Sequence, residues 1–310
     1  MQPDLAVARL PVRPVAGSFL CENESSSSRF VGRSSVNLPK VRVARKRIHT
    51  RRFEMPEKSD ATWGWPLFMS FIRLPLILTG NGAIILAFLL AGRPAGIGTG
   101  AVFSTLSVTL ANIVCVGLLL WRARVEGFRL GSIVGFQRRR FLRDLGGGIL
   151  WSMVLFVLLM GGIFVMFLAI QRIAGLTFEQ IYLGDADFSF EMPQWLMVIM
   201  VIISGVVFPI LNAPVEELQY RGYAQSRLIS ASGRVWLGIC IPAVGFGLQH
   251  MAFANSLSAA PAFAVGFFLW GIGAGIIAYR QQRLAPLIIA HFVSNLSFGV
   301  VPLFFMLRGA

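Results

Sequence analysis

The chain of 310 residues is 55% hydrophobic and only 14% charged, and its mean hydropathy is +0.70. An average soluble domain has about 25% charged residues, so this composition excludes a soluble globular fold. The formal net charge of +14 would suggest a nucleic-acid partner in a soluble protein, but here it is typical of basic segments that flank membrane spans, and no nucleic-acid partner is expected.

Residues 1–60 differ in composition from the rest of the chain. They contain 12 basic and 6 acidic residues, a serine run at 25–28, and no hydrophobic stretch long enough for the core of a signal peptide. We predict a disordered, basic N-terminal arm over 1–60 and an integral membrane domain over 61–310. Two other interpretations of the arm stay open: an organelle-targeting segment, and a mis-assigned start with the true one at Met55.

Apolar segments separated by short polar turns make up the chain from residue 67 onward. Each is close to the ~20 residues that cross a bilayer as a helix. The sequence predicts an all-α, polytopic transmembrane bundle of about seven to eight spans with a polar cavity in its core. The seven segments are about 67–91, 101–121, 149–170, 195–213, 235–254, 261–278 and 285–307. Gly271 and Gly275, one helical turn apart in the sixth segment, predict a close packing face.

The charges of the loops predict the orientation of the protein in the bilayer. The loop 122–148 contains seven arginines, whereas 171–194 contains four acidic residues and a single basic one, Arg172. Because basic loops stay in the cytoplasm, we predict a cytoplasmic N-terminus and a C-terminus on the far side. For a bacterial protein the membrane would be the plasma membrane.

Ionisable residues inside apolar segments mark functional sites, because burying them in a bilayer is costly. Two of the three histidines, His250 and His291, lie within predicted spans, and the pair Glu216-Glu217 follows the fourth span. On a helix, Glu217 and Arg221 are one turn apart and can form an ion pair. Glu216 then points about 100° away, and we expect it to remain an available, unpaired carboxylate.

Two further pairs of residues are four positions apart, so the members of each pair lie on the same face of a helix. Phe246 precedes His250 by one turn, and Asn295 follows His291 by one turn. A helical bundle can gather such convergent polar groups in its core. These pairs therefore make both intramembrane histidines candidates for a common site.

Counting residues from the turns near 233 and 281 gives the depth of each group. Glu216 and His250 lie at the same level, about 25 Å along their helices, if the fourth helix continues past Pro214 to about Leu228. His291 lies about 10 Å shallower by the same count. We expect a break in the fifth helix, at Pro242 or the glycines that follow it, to close this gap.

Three motifs occur in order: Glu216-Glu217-x-x-x-Arg221, Phe246-x-x-x-His250 and His291-x-x-x-Asn295. The set resembles the CPBP family, the intramembrane CAAX-prenyl-protease and bacteriocin-processing proteins also called Abi, over residues 195–300. The resemblance implies a helical bundle with a catalytic cavity, and hydrolysis of a peptide bond close to the membrane. Substrates in relatives are the C-terminal tripeptide of prenylated CAAX proteins, or bacteriocin leaders. The expected partners are therefore the lipid bilayer and a membrane-associated, lipidated protein or peptide.

The resemblance also implies a role for each motif residue. Glu216 would activate a water molecule with the help of His250. His291 and Asn295 would bind the water, a metal ion or the oxyanion of the tetrahedral intermediate. Structural support of the site would come from Glu217, Arg221 and Phe246.

A metal ion in this site is an open question at the level of sequence. Glu216, His250 and His291 supply the number of ligands that a catalytic zinc or another divalent metal with an open position requires. A metal-free mechanism, in which Glu216 acts as the base and His291 with Asn295 as the oxyanion hole, uses the same residues. Both mechanisms stay open.

Two other classes of function also fit these features. A buried carboxylate and histidines on adjacent helices are typical of a proton- or ion-coupled transporter, although the chain has no second copy of the Glu-Glu motif, as an inverted repeat would provide. A catalytically inactive, protease-like scaffold would keep the same motifs without hydrolysis.

Overall fold

The computed structural model describes residues 62–184 and 194–309, with side chains up to residue 299, so the arm predicted at 1–60 lies outside the described residues. The described backbone is helical and contains no strand. Its α-helices are α1 (Gly64–Phe71), α2 (Arg73–Leu90), α3 (Ile97–Val102), α4 (Ser104–Val125), α5 (Leu130–Val134), α6 (Phe141–Ala174), α7 (Phe178–Tyr182), α8 (Gln194–Ile202), α9 (Phe208–Glu216), α10 (Ser226–Ser232), α11 (Val235–Gln249), α12 (Ala260–Gln281) and α13 (Ala285–Gly309). The 3-10 segments are Arg138–Arg140 and His250–Phe253, and the π-helical segments are Ile203–Val207 and Glu217–Gln225.

The predicted all-α bundle is confirmed. Six helical stretches of the described chain are long and apolar enough to cross a membrane: Gly64–Leu90, Ser104–Val125, Leu130–Ala174, Gln194–Ser232, Val235–Phe253 and Ala260–Gln281. They coincide with the first six predicted segments. The seventh predicted segment falls on α13, which is apolar over its described part Ala285–Gly299.

The fourth stretch is longer than its apolar segment. From α8 to α10 the helix runs without interruption over Gln194–Ser232, through both π-helical segments. The helix continues past Pro214 to beyond Leu228, which is the condition for Glu216 and His250 to lie at the same level. The residues that follow the apolar segment therefore lie inside the bundle and not at its rim.

Small residues allow α12 to approach α11 and α6 closely. A methyl group added at Gly271 would lie 3.0 Å from the Cβ of Ala243 on α11, and one at Gly275 would lie 2.9 Å from the side chain of Ile239. On the other side, a methyl group at Gly266 would meet the carbonyl oxygen of Leu159 on α6 at 2.8 Å. The predicted packing face of α12 is therefore confirmed, and α12 packs between α11 and α6.

A polar cluster at one end joins the fourth stretch to α4. Glu126, just after α4, accepts hydrogen bonds from the Tyr223 hydroxyl at 2.7 Å, from Arg122 Nη2 at 2.5 Å and from Arg227 Nε at 2.8 Å. Burial raises the pKa of Glu126, but the hydrogen bond from Tyr223 and the two arginines outweigh it, so the pKa lies below its ordinary value. The cluster therefore holds these two helices together as a charged unit at neutral pH.

The predicted orientation can be tested by labelling single cysteines in a background where Cys21, Cys115 and Cys240 are replaced by alanine. We expect Ser132→Cys, in the arginine-rich loop, to resist a membrane-impermeant maleimide in intact cells. Glu179→Cys, an exposed position in the acidic loop, is the matched control and should label. Labelling of Ser132→Cys together with protection of Glu179→Cys would show that the orientation is the opposite of the predicted one.

Candidate active site

The acid pair lies inside the fourth stretch, and both carboxylates are buried. Glu216 is the last residue of α9, and Glu217 begins the π-helical segment Glu217–Gln225. Pro214 interrupts the helical hydrogen-bond ladder just before this segment, because proline has no N–H to donate. Helical irregularities of this kind are frequent at functional sites. The local sequence therefore widens the helix where it presents both acids to the bundle core.

Glu217 forms the predicted ion pair. Its Oε1 lies 3.0 Å from Arg221 Nη1 and 2.7 Å from His291 Nδ1. The guanidinium carbon of Arg221 lies 4.5 Å from the ring centre of Phe246 and 4.9 Å from that of Trp270. Such cation–π contacts stabilise a desolvated guanidinium. Glu217 and Arg221 thus connect the fourth stretch to α11, α12 and α13.

Glu216 is not the unpaired carboxylate that the sequence predicts, and that expectation is wrong. Its Oε1 lies 2.8 Å from Arg73 Nη2 and accepts a hydrogen bond of 2.7 Å from Gln249 Nε2. Its Oε2 is buried and accepts no hydrogen bond from any described residue, although His291 Nε2 lies 3.3 Å away. One oxygen of this carboxylate is therefore fixed, and the other is left for a further partner.

Arg73, near the start of α2, is fully buried and was missed by the sequence analysis. Besides Glu216, its guanidinium donates hydrogen bonds to Gln249 Oε1 at 2.7 Å, Asn112 Oδ1 at 2.7 Å and Asn212 Oδ1 at 3.0 Å. The amide of Asn112 also donates to Asn212 Oδ1 at 3.1 Å. The signal was present in the sequence, because Arg73 is an ionisable residue within the first predicted span.

His291 lies between the two glutamates. Its Nδ1 must donate to Glu217 Oε1, because an ionised carboxylate can only accept. The other nitrogen, Nε2, faces Glu216 Oε2. The ring packs on Trp270, with 4.7 Å between ring centres. His291 is therefore oriented by Glu217 and directs a single nitrogen at the open side of Glu216.

His250 begins the 3-10 segment that follows α11, one turn after Phe246. Its Nδ1 lies 2.6 Å from the carbonyl oxygen of Phe246 and must donate to it, which leaves Nε2 as an acceptor in the neutral ring. The ring stacks on Phe267 at 3.5 Å between centres and contacts the ring of Phe246 at 4.6 Å. Phe246 therefore positions His250 through both its carbonyl group and its ring.

Asn295 is buried on α13, and its Nδ2 donates to no described residue. Buried polar atoms without a partner are rare in folded proteins, and each needs an explanation. The amide of Asn295 and Oε2 of Glu216 are thus a donor and an acceptor that lack protein partners among the described residues. Each of these two atoms is free for a water molecule or a peptide group.

His291 reaches Glu216 without the break that the sequence predicts in the fifth helix. That expectation is wrong, because α11 runs continuously through Pro242 to Gln249. The turn before α13 is instead held against α5. Leu284 is buried there, and its N–H donates to the carbonyl of Val134 at 3.1 Å. The segment α5 therefore covers the start of α13, although Gln282 in the same turn is exposed.

The described residues do not fit a zinc site with three protein ligands. Within 62–184 and 194–309, no three His, Cys, Asp or Glu side chains converge as metal ligands would. Of the predicted set, His250 and His291 each have Nδ1 engaged, by the Phe246 carbonyl and by Glu217, so only Nε2 of either ring could coordinate a metal. The guanidinium of Arg73 already lies against Glu216, and its positive charge disfavours a divalent cation there.

Part of the chain matches a known protein family. Residues 193–297 match the family model described as Type II CAAX prenyl endopeptidase Rce1-like. No significant match was found among curated proteins or among solved structures. The family match confirms the resemblance to CAAX-type membrane proteases and includes every motif residue from Glu216 to Asn295. At the level of the family, the match indicates a peptidase with a membrane-associated peptide substrate. Arg73 and Asn112 lie outside the matched residues.

Proposed function

We propose that this protein is an intramembrane endopeptidase that hydrolyses a peptide bond of a lipidated, membrane-associated substrate with a water molecule activated by Glu216. The observation that carries the proposal is the asymmetry of this carboxylate. Arg73 and Gln249 hold Oε1, while Oε2 is buried and lacks a hydrogen-bond donor among the described residues. A general base needs a fixed carboxylate with one free oxygen within reach of the water it deprotonates.

The geometry supports a sequence of proton transfers that uses only side chains of this chain. Water bound at Glu216 Oε2 loses a proton to that oxygen as its own oxygen attacks the carbonyl carbon of the substrate. His291 Nε2, 3.3 Å from Oε2, can share this proton. The proton then passes to the amine nitrogen as the C–N bond breaks, which leaves a carboxylic acid and an amine. The acid then gives its proton to the solvent and becomes a carboxylate.

Asn295 and His250 provide the remaining polar groups. The free amide of Asn295 can donate to the oxyanion that develops on the substrate carbonyl, and such a donor is worth more in a buried site than in water. His250 Nε2, an acceptor in the neutral ring, can orient the second proton of the water. Neither role requires these side chains to give up a partner that the structure records.

The proposal can be tested with the purified full-length protein in detergent. The substrate is a peptide that ends in a farnesylated CAAX sequence, and the control is the same peptide with an unmodified cysteine. We expect release of the C-terminal tripeptide, followed by mass spectrometry, and faster cleavage of the farnesylated peptide. Folded protein that cleaves neither peptide would favour a transporter or an inactive scaffold instead.

We further propose that this hydrolysis needs no metal ion, because the donor set around Glu216 is incomplete for zinc and already contains a guanidinium. We expect cleavage of the farnesylated peptide to persist after treatment with a chelator. Metal analysis of the same sample should find less than one equivalent of zinc. Loss of activity on chelation, with recovery on adding zinc back, would contradict the metal-free mechanism.

A further inference from the structure

A second polar site lies at the end of the bundle that the loop charges predict to be cytoplasmic. A cavity of about 430 Å³ lies beside the first turns of α6 and the turn that precedes α13. None of the residues of the Glu216 site lines it. Its polar wall is formed mainly by Arg140, Arg143 and Arg283, and its apolar wall includes Leu150 and Pro286. Its volume lies within the range of roughly 300–1,000 Å³ that is usual for ligand pockets.

Only one of the three arginines has its charge compensated. Arg283 forms two hydrogen bonds with the fully buried carboxylate of Asp144, which fixes its guanidinium in place. The side chains of Arg140 and Arg143 form no ion pair or hydrogen bond with any described residue. Because Asp144 balances only Arg283, the cavity carries about two uncompensated positive charges, those of Arg140 and Arg143.

The start of α6 adds to this positive potential. Arg140 is the residue before the first turn, Arg143 lies within that turn, and no side chain caps the helix there. A helix N-terminus carries a positive partial charge, so cations near it are unfavourable and anions are favourable. An anion in the cavity would relieve the repulsion between the two arginines and the helix end.

We propose that this cavity binds the phosphate-bearing head group of an anionic membrane lipid. The guanidiniums provide donors for the phosphate oxygens, and basic pockets between membrane helices bind such head groups in other proteins. Leu150, 56% exposed and about two turns further along α6, offers an apolar surface for the start of an acyl chain. Gly146 and Gly147 leave open space beside the helix, since an added methyl group would meet no atom within 4 Å. A free phosphate ion would leave this apolar wall unused.

The test is a lipid titration of the full-length protein in detergent, followed by native mass spectrometry. The probes are phosphatidylglycerol and phosphatidylcholine with identical acyl chains. The variant Arg140→Gln/Arg143→Gln should bind phosphatidylglycerol about 30-fold more weakly than the unmodified protein, since each arginine contributes about 1 kcal/mol near an anionic surface. The matched control Arg138→Gln/Arg139→Gln removes the same charge from exposed neighbours that do not line the cavity, and it should keep the original affinity.

A second variant tests the cavity without changing any charge. Gly146→Leu should fill the open space beside α6 and also weaken phosphatidylglycerol binding. Equal binding of the two lipids, equal losses in the two double variants, or unchanged binding in Gly146→Leu would overturn the site. Full displacement of the lipid by an equal concentration of inorganic phosphate would assign the site to a free anion and overturn the lipid. These measurements do not depend on peptide cleavage, so they stand apart from the proposed protease activity.

Discussion

Glu216→Gln is expected to reduce cleavage of the farnesylated peptide by at least about 100-fold, the contribution typical of a general base. The amide keeps the size of the side chain and an oxygen that can accept the hydrogen bonds now made to Oε1. The NH₂ group then takes the place of Oε2, and it has almost no basicity. The measurement is the initial rate of tripeptide release by variant and unmodified protein at equal folded concentration.

The matched control is Glu179→Gln, which removes an exposed carboxylate on α7. Its cleavage rate should equal that of the unmodified protein. A more demanding variant is Glu216→Asp, which keeps the charge but withdraws the carboxylate by one methylene group from the water it must deprotonate. Its rate should also fall, because small displacements of reacting groups are costly. Near-normal turnover in Glu216→Gln would contradict the role of Glu216 as the base.

Arg73→Met is expected to cause the largest loss of stability. It leaves the carboxylate of Glu216 buried without its cation, and breaking a buried ion pair from one side typically costs ~3–5 kcal/mol. Asn112, Asn212 and Gln249 lose a donor in the same step. The measurement is thermal unfolding in detergent, followed by a thiol-reactive dye that reports exposure of the buried Cys115.

The double variant Arg73→Met/Glu216→Gln tests whether the pair is coupled. It should be more stable than Arg73→Met alone, because no uncompensated charge remains. Glu216→Gln alone should also lose stability, since it leaves the Arg73 cation without its counter-charge, but less than Arg73→Met because the amide oxygen still accepts. The control Arg124→Met, at an exposed position in the last turn of α4, should change stability by no more than about 0.5 kcal/mol. Additive losses in the double variant would show that Arg73 and Glu216 do not stabilise each other.

The parts of the site that the sequence predicts are those that depend on local spacing. Glu217 with Arg221, and Phe246 with His250, are each four residues apart on one helix, and both pairs are in contact in the structure. The helical repeat alone brings such residues together. The bundle and its first six spans followed from hydropathy for a similar reason, since a bilayer requires continuous apolar helices.

The partners of Glu216 could not be found in this way. Arg73 and Gln249 are 176 residues apart in the chain, and only the packing of separate helices brings them to one oxygen. Hydropathy gives the order of the spans but not which of them are neighbours. A residue count could not place His291, because it assumes that every helix begins at the membrane surface, whereas Leu284 just before α13 is buried and bonded to Val134 of α5.

The position of Arg73 has a consequence for how the protein is assembled in the membrane. All four of its polar partners follow it in the chain, the nearest 39 residues later and the last 176 residues later. The ribosome therefore delivers the first span with its arginine unpaired, at an insertion cost of about 2.5–3.5 kcal/mol for a central position. The leucines and isoleucines of α2 offset this cost until the fifth stretch arrives with Gln249. This helix, in the first of the six described stretches, is thus among the last to reach its final contacts. A chain that stops before α11 would hold an arginine with an unfinished set of partners.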